Sequence, residues 1–154
     1  MNKEEIKKLL HHREPYLMVD SVMECSAKSI RSTKIHQGNE PYILGHFHNA
    51  PVVPGAMLQE LCTQSAGILL TKHYSPVENY DSNKTKGWAI GVLNRIKSAK
   101  YFGIVKPSND INAIVELCDY EKNLYTFKAK VFQLDELKAK LSFTLIITSD
   151  ELLL

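Results

Sequence analysis

Long apolar runs and clustered cysteines are both missing from this chain of 154 residues. No apolar run approaches the roughly 18 residues that a membrane-spanning helix needs. The N-terminal residues MNKEEIKKLL carry charges at helical spacing and lack the apolar core of a secretory signal, so we expect a cytoplasmic protein. The three cysteines, Cys25, Cys62 and Cys118, are widely spaced and odd in number. That pattern argues against a disulfide framework and against a CxxC metal or redox site.

A strong excess of one charge is absent as well. The net charge of +2 is too small to indicate nucleic-acid binding by the whole chain. The exception is the stretch 84–106, which holds six basic residues and no acidic one. This stretch is either a solvated strand face or a docking surface for an acidic partner. Its aromatic residues are not interleaved with the charges as a base-stacking platform requires, so nucleic acid is the poorer partner.

The spacing of the apolar residues predicts one α+β domain covering residues 1–154, with no internal repeat. Helices are predicted at residues 2–10 and from Pro54 to about residue 71. Strands are predicted at residues 16–25, 28–36, 88–102, 110–120, 124–134 and 138–148. The polar linker 73–86 is long for a compact domain and is predicted to be a flap or a disordered surface loop.

The predicted second helix is apolar around most of its circumference, with polar residues on one narrow stripe. That stripe contains Gln59, Glu60, Thr63 and Gln64. A helix of this kind is enclosed by the rest of the domain, so we expect the stripe to face a lined cavity or a subunit boundary. A sheet curved around the helix cannot cover it completely, and a second copy of the chain would close the open side.

The residues around this helix form a motif that resembles a known family. The motif is G-H-F-x-x-x-P-x-x-P-G-x-x-x-x-E-x-x-x-Q, with these members: Gly45, His46, Phe47, Pro51, Pro54, Gly55, Glu60 and Gln64. It resembles the signature of the FabZ-type 3-hydroxyacyl-acyl-carrier-protein dehydratases. Residues 12–20 and 100–107 are similar to two further segments of that family. The resemblance implies the hot-dog fold, in which a curved antiparallel sheet wraps a long central helix.

The same resemblance implies an activity and a set of site residues. His46 would be the catalytic base, and Glu60 its acidic partner from the other subunit of a dimer. Gly55 matches the position whose N–H binds the thioester carbonyl, and Gln64 would hold the Glu60 carboxyl group. The acyl carrier protein would be the partner that delivers the substrate, in a homodimer or a trimer of dimers. No cofactor and no metal are implied.

The chemistry of these residue types agrees with those roles. Imidazole is the side chain whose unperturbed pKa lies nearest neutrality, which suits proton removal beside a thioester carbonyl. Free N–H groups in the first turn of a helix can stabilise negative charge that grows on that carbonyl. We assign two residues within the motif, Phe47 and Val52, to substrate binding. Met57, Leu58 and Leu61 are candidates for the acyl tunnel.

The chain departs from the family between Phe47 and Pro51. The family usually has a turn of P-G-H or P-G-D type there, whereas this chain has His48, Asn49 and Ala50. Asparagine tolerates the left-handed backbone conformation that such a turn requires. Gln59 also places an amide where the family is usually apolar. These changes indicate a divergent member whose acyl substrate or carrier differs.

Other readings of the same residues remain open at this point. A hot-dog thioesterase would use a carboxylate to activate water, and a non-catalytic acyl-binding subunit would keep the pocket without turnover. Glu60 could be a buried ion-pair member with Arg13 or Arg31. His46 and His48 could suggest a metal pair, but no further ligand stands at a standard spacing. His11, His12, His36 and His73 are predicted to be ordinary surface or packing residues, and Cys62 to be core filler.

Overall fold

The computed structural model describes residues 1–84 and 89–149. The helices are α1 (Lys3–Leu9), α2 (Pro41–Leu44) and α3 (Gly55–Tyr74). The strands are β1 (Ser21–Cys25), β2 (Ser29–Lys34), β3 (Ala89–Tyr101), β4 (Ile111–Glu121), β5 (Leu124–Gln133) and β6 (Glu136–Thr148). Trp88, predicted to start a strand, lies outside the described residues. Within the described residues, no helix is both long enough and apolar enough to span a membrane.

The six strands form one antiparallel sheet in the order β1-β2-β4-β5-β6-β3. Side chains alternate along each strand between a buried inner face and an outer face. On β5 the buried set includes Phe127 and Val131, and on β6 it includes Leu141 and Phe143, as the sequence predicts. The rings of Phe127 and Phe143 stack with centroids 5.6 Å apart. The predicted α+β architecture is confirmed.

Helix α3 packs against the inner face of the sheet and fills the core. It begins at Gly55, directly after Pro54, whose fixed φ of −60° and ψ of 141° bring the chain in from an extended segment. It ends at Tyr74, because Ser75 precedes a proline and is thereby disfavoured in helical conformation. All residues from Leu61 to Thr71 are buried. The predicted enclosure of this helix is therefore confirmed, although the helix runs to Tyr74 and so passes its predicted end.

The backbones of α3 and β3 touch at two glycines. Gly91 on β3 has a φ of +79°, a conformation that side chains with a Cβ rarely adopt. A Cβ built on Gly91 would lie 2.9 Å from the Cα of Gly67 on α3. Any larger residue at position 91 would push the strand away from the helix.

Two predictions from the sequence are wrong in their details. The predicted strand 16–25 begins only at Ser21, because Leu17, Met18 and Val19 are buried in an irregular segment beside α3. The predicted linker 73–86 is not a free flap over its described part. The side chain of Arg13 donates hydrogen bonds to Ser82 and Asn83, and the Ser82 N–H donates to the carbonyl of Lys8.

Candidate active site

Glu60 lies in the second turn of α3, and a chain of hydrogen bonds fixes its carboxylate. Gln64, one turn later, donates from Nε2 to Glu60 Oε1 at 2.9 Å and to the carbonyl of Tyr16 at 2.8 Å. The Met18 N–H donates in turn to Gln64 Oε1 at 2.7 Å. Gln64 is buried and uses both ends of its amide. It therefore ties Glu60 to the irregular segment before β1, and the predicted role of Gln64 as a holder of Glu60 agrees with this geometry.

Three further side chains surround the same carboxylate. Thr63 Oγ1 donates to Glu60 Oε2 at 3.3 Å, and the side chain of Tyr16 lies near the same carboxylate. Burial and the Glu60 charge both raise the pKa of Tyr16. His12 Nε2 lies 3.7 Å from Glu60 Oε1. The Glu60 side chain is largely buried, with 16% of it exposed.

His12, like Tyr16, is a residue of this site that the sequence analysis missed. Its ring stacks on Tyr16 with centroids 6.1 Å apart, and its Nδ1 is buried with no hydrogen-bond partner among the described residues. Burial lowers the pKa of His12, against the opposing effect of the Glu60 charge. The neighbouring His11 instead pairs with Tyr80. Nothing in the His11-His12 dipeptide distinguishes the two, because only the tertiary fold brings α3 next to His12.

The alternative interpretation of Glu60 as an ion-pair partner of an arginine is wrong. Arg13 donates from Nη1 to the carbonyls of Leu10 and His12 and from Nη2 to Ser82 and Asn83. Arg31 is exposed and lies on the outer face of β2. Neither is in an ion pair with Glu60 within the described part of the chain.

His46 lies on the exposed turn that follows α2. Its Nδ1 is 3.3 Å from the carbonyl oxygen of Val52. Because a carbonyl can only accept, this contact places the proton on Nδ1 and leaves Nε2 with a free lone pair. The ring also packs on Phe47, with centroids 4.2 Å apart. The backbone of Val52 thus orients the imidazole, a contact different from the predicted contact of Val52 with substrate.

No hydrogen bond or ion pair joins His46 to Glu60 among residues 1–84 and 89–149 of one chain. His46 is exposed on the turn, whereas Glu60 faces the segment around Tyr16. One chain therefore presents a base with a free nitrogen and, separately, an anchored carboxylate.

The turn between His46 and α3 has the backbone conformation that its unusual sequence allows. Asn49 has a φ of 60°, in the left-handed region. The Ala50 N–H donates to the carbonyl of Phe47 at 3.1 Å and closes the turn. Asn49 thus adopts the left-handed conformation that asparagine tolerates better than most residues.

The start of α3 combines free backbone donors with an aromatic ring. The N–H of Gly55 makes no hydrogen bond within the described residues, as expected in the first turn of a helix. The Tyr101 ring covers this turn so closely that a Cβ on Gly55 would lie 3.0 Å from Tyr101 Cε1. The Val53 N–H donates to the carbonyl of Val105 at 2.9 Å and fixes the approach to the helix.

Other candidate chemistry receives no support from the described residues. They contain no group of three or more His, Cys, Asp or Glu side chains that could hold a metal ion. Cys62 is buried on α3, and burial raises the pKa of its thiol. A buried thiol of raised pKa is a poor nucleophile, which agrees with its predicted role as core filler.

Residues 10–139 match the FabA-like domain family. Curated proteins named 3-hydroxyacyl-[acyl-carrier-protein] dehydratase FabZ align over most of the chain. The protein of that name from Petrotoga mobilis is 34% identical over 128 residues, which is 83% of this chain and 84% of its own length. The one from Cupriavidus taiwanensis is 36% identical over 126 residues, with 81% and 79% covered.

Solved structures with little sequence identity share the fold. A chain of the dehydratase heterocomplex ApeI:P from Xenorhabdus doucetiae superposes with a TM-score of 0.67 at 12% identity, covering 94% of this chain and 90% of that one. The smu.793 protein from Streptococcus mutans, bound to acetyl CoA, gives a TM-score of 0.61 at 15% identity and covers 91% and 96%. The predicted hot-dog fold is confirmed.

Proposed function

Because the chain belongs to the FabA-like family of hot-dog dehydratases and aligns with FabZ proteins along most of its length, we propose that it dehydrates (3R)-hydroxyacyl thioesters. The products are water and a trans-2-enoyl thioester, and the substrate arrives on an acyl carrier protein. The observation that supports this proposal best is the Glu60 carboxylate, which Gln64 and Thr63 hold in one orientation on a buried helix.

The proposed mechanism needs one base and one acid on opposite ends of the reacting C2–C3 unit. Nε2 of His46 takes the proton from C2, since the Nδ1 contact with the Val52 carbonyl leaves Nε2 free. The C3–O bond breaks, and the hydroxyl group leaves as water with a proton from Glu60. The C2 proton then returns from His46 to Glu60 before the next turnover. The Gly55 N–H donates to the thioester carbonyl while negative charge develops there.

Glu60 is proposed to come from the neighbouring protomer of a homodimer. The 13-residue strand β3 lies at one edge of the sheet and has a free side that can pair with a second copy. Exposed apolar side chains occur in the motif and in segment 100–107. They include Phe47, Phe102 and Ile104. Burying them against a partner would remove apolar surface from water and enclose an acyl chain.

The direct test supplies (3R)-hydroxyacyl thioesters of several chain lengths, on acyl carrier protein and on coenzyme A. Enoyl thioester formation is followed by ultraviolet absorbance, and free thiol is measured in parallel. The proposal expects enoyl product without thiol release, and faster turnover on the carrier protein. Thiol release without enoyl product would identify a thioesterase instead, and binding without either product would identify a non-catalytic acyl-binding subunit.

His12 is expected to act as a positioning residue for Glu60. Replacing it by alanine should lower kcat by about tenfold with little change in KM, because the carboxylate loses the ring beside Oε1. Glutamine can place an amide near the position of Nε2, so His12→Gln should retain more activity than His12→Ala. The exposed His73, near the end of α3, provides the control His73→Ala. Unchanged kcat in His12→Ala would remove His12 from the site.

A further inference from the structure

The outer face of the sheet, opposite α3, contains a cavity of about 500 Å³ surrounded by lysines. Its walls include Lys100 of β3, Lys140 of β6, and Lys128 and Lys130 of β5. We call this set the outer lysine cluster. Glu60 and the core of α3 lie against the inner face, so the sheet separates this cavity from the candidate active site.

Strand register forces three of these lysines into one row. Lys100 is paired with Lys140, and Lys140 is paired with Lys130. Directly paired residues on antiparallel strands point to the same face, with Cβ atoms about 5 Å apart. Like charges at that spacing repel each other, so three in succession destabilise the sheet when no anion is bound. Lys128 lies two residues along β5 on the same face.

Few negative charges within the described residues oppose this row. None of the four lysines takes part in an ion pair, although other lysines on the same molecule do. The one carboxylate on the cavity wall is Glu116, which is paired in register with Lys128 but is not within ion-pair distance of it. All four lysines are exposed. The cavity therefore has a positive potential that a bound anion would neutralise.

The rest of the wall is apolar or carries hydroxyl groups. Ile114 and Phe132 contribute apolar surface, and Ser98 and Ser142 contribute hydroxyl groups. A concave site of this volume suits a small molecule, whereas a protein partner usually needs a flatter area of about 800 Å². Three adjacent strands span about 10 Å, which is enough to place more than one phosphate group against separate lysines.

From this arrangement we propose that the outer lysine cluster binds a small anion with two phosphate groups and a flat aromatic ring, of the nucleoside diphosphate class. The phosphates contact the lysine row across β3, β6 and β5. The ring lies on the apolar wall at Phe132 and Ile114. This site is independent of the dehydration proposed for the inner face.

Titration calorimetry of the full chain with ADP, pyrophosphate and adenosine tests the proposal. ADP should bind most tightly, and its affinity should fall as salt rises, since ion pairs are screened. If adenosine bound with the same affinity as ADP, the phosphate contact would be overturned. If pyrophosphate bound with the same affinity as ADP, the ring contact would be overturned. Binding of polyglutamate without binding of ADP would identify an acidic protein surface and overturn the proposal.

The double variant Lys130→Gln/Lys140→Gln should lose at least tenfold in ADP affinity. The control Lys72→Gln removes an exposed lysine from α3 and should bind ADP like the wild type. Removal of like charges from a strand row should leave the chain as stable as the wild type or more stable, so thermal unfolding separates lost binding from lost folding. Equal ADP affinity in the double variant and the wild type would overturn the assignment to this cavity.

Discussion

Dehydration is expected to fall by a factor of about 10²–10⁴ in both His46→Ala and Glu60→Gln, the range for loss of a general acid or base. His46→Ala removes the nitrogen that accepts the C2 proton. Glu60→Gln keeps the shape of the side chain but cannot donate a carboxylic proton. Hydration of a crotonyl thioester, the reverse reaction, measures both losses under the same conditions.

Matched controls lie next to each residue. His48→Ala changes an exposed histidine on the same turn, and Gln59→Ala changes the residue before Glu60 on α3. Both should keep most of the activity. Near wild-type rates in His46→Ala or in Glu60→Gln would exclude that residue from the proposed mechanism, whatever the controls show.

Mixing the two inactive chains tests where the acid comes from. If each site combines His46 of one protomer with Glu60 of the other, a mixed dimer has one intact site. Equal amounts of the two variants, unfolded together and refolded, should then recover about a quarter of the wild-type activity by random pairing. Recovery would be zero if one chain supplied both groups.

Gly91→Ala is expected to destabilise the protein by about 2–4 kcal/mol, since it combines backbone strain with overpacking. The φ of +79° disfavours alanine, and its Cβ would lie 2.9 Å from the backbone of Gly67. A backbone atom of a buried helix cannot move aside as a flexible side chain can. Urea unfolding followed by circular dichroism gives the change in the free energy of unfolding.

Gly103→Ala is the matched control for that experiment. A Cβ on Gly103 would meet only the flexible end of the Lys138 side chain, at 3.6 Å from Nζ. Its free energy of unfolding should stay within about 0.5 kcal/mol of the wild type. Equal stability of Gly91→Ala and Gly103→Ala would contradict the close packing of β3 on α3.

The elements with strong periodicity were predictable from the sequence. Strands β5 and β6 alternate strictly, and α3 is apolar on almost every side, so their type and their buried faces follow from local pattern alone. The segment 16–20 is also apolar but is not a strand. Its backbone groups at Tyr16 and Met18 bond to the Gln64 side chain. A side chain 48 residues away cannot be read from local periodicity.

The candidate site, too, was only partly predictable from the sequence. The motif that contains His46, Gly55 and Glu60 was visible in the sequence, because its spacing resembles that of a family, and it supplies the reacting groups of the proposed mechanism. The surroundings of Glu60 were not predictable, since His12 and Tyr16 reach it only through the packing of α3 beside the segment before β1. The outer lysine cluster was also hidden. Its members lie on three strands, and only Lys100 belongs to the basic stretch 84–106.

The position of the Glu60 carboxylate depends on residues 12–18. Apart from Thr63 and Gln64, the groups around the Glu60 carboxylate come from residues 12–18. A fusion partner or a deletion that loosens those residues would leave α3 intact while releasing its acidic group from the Tyr16 and Met18 anchor.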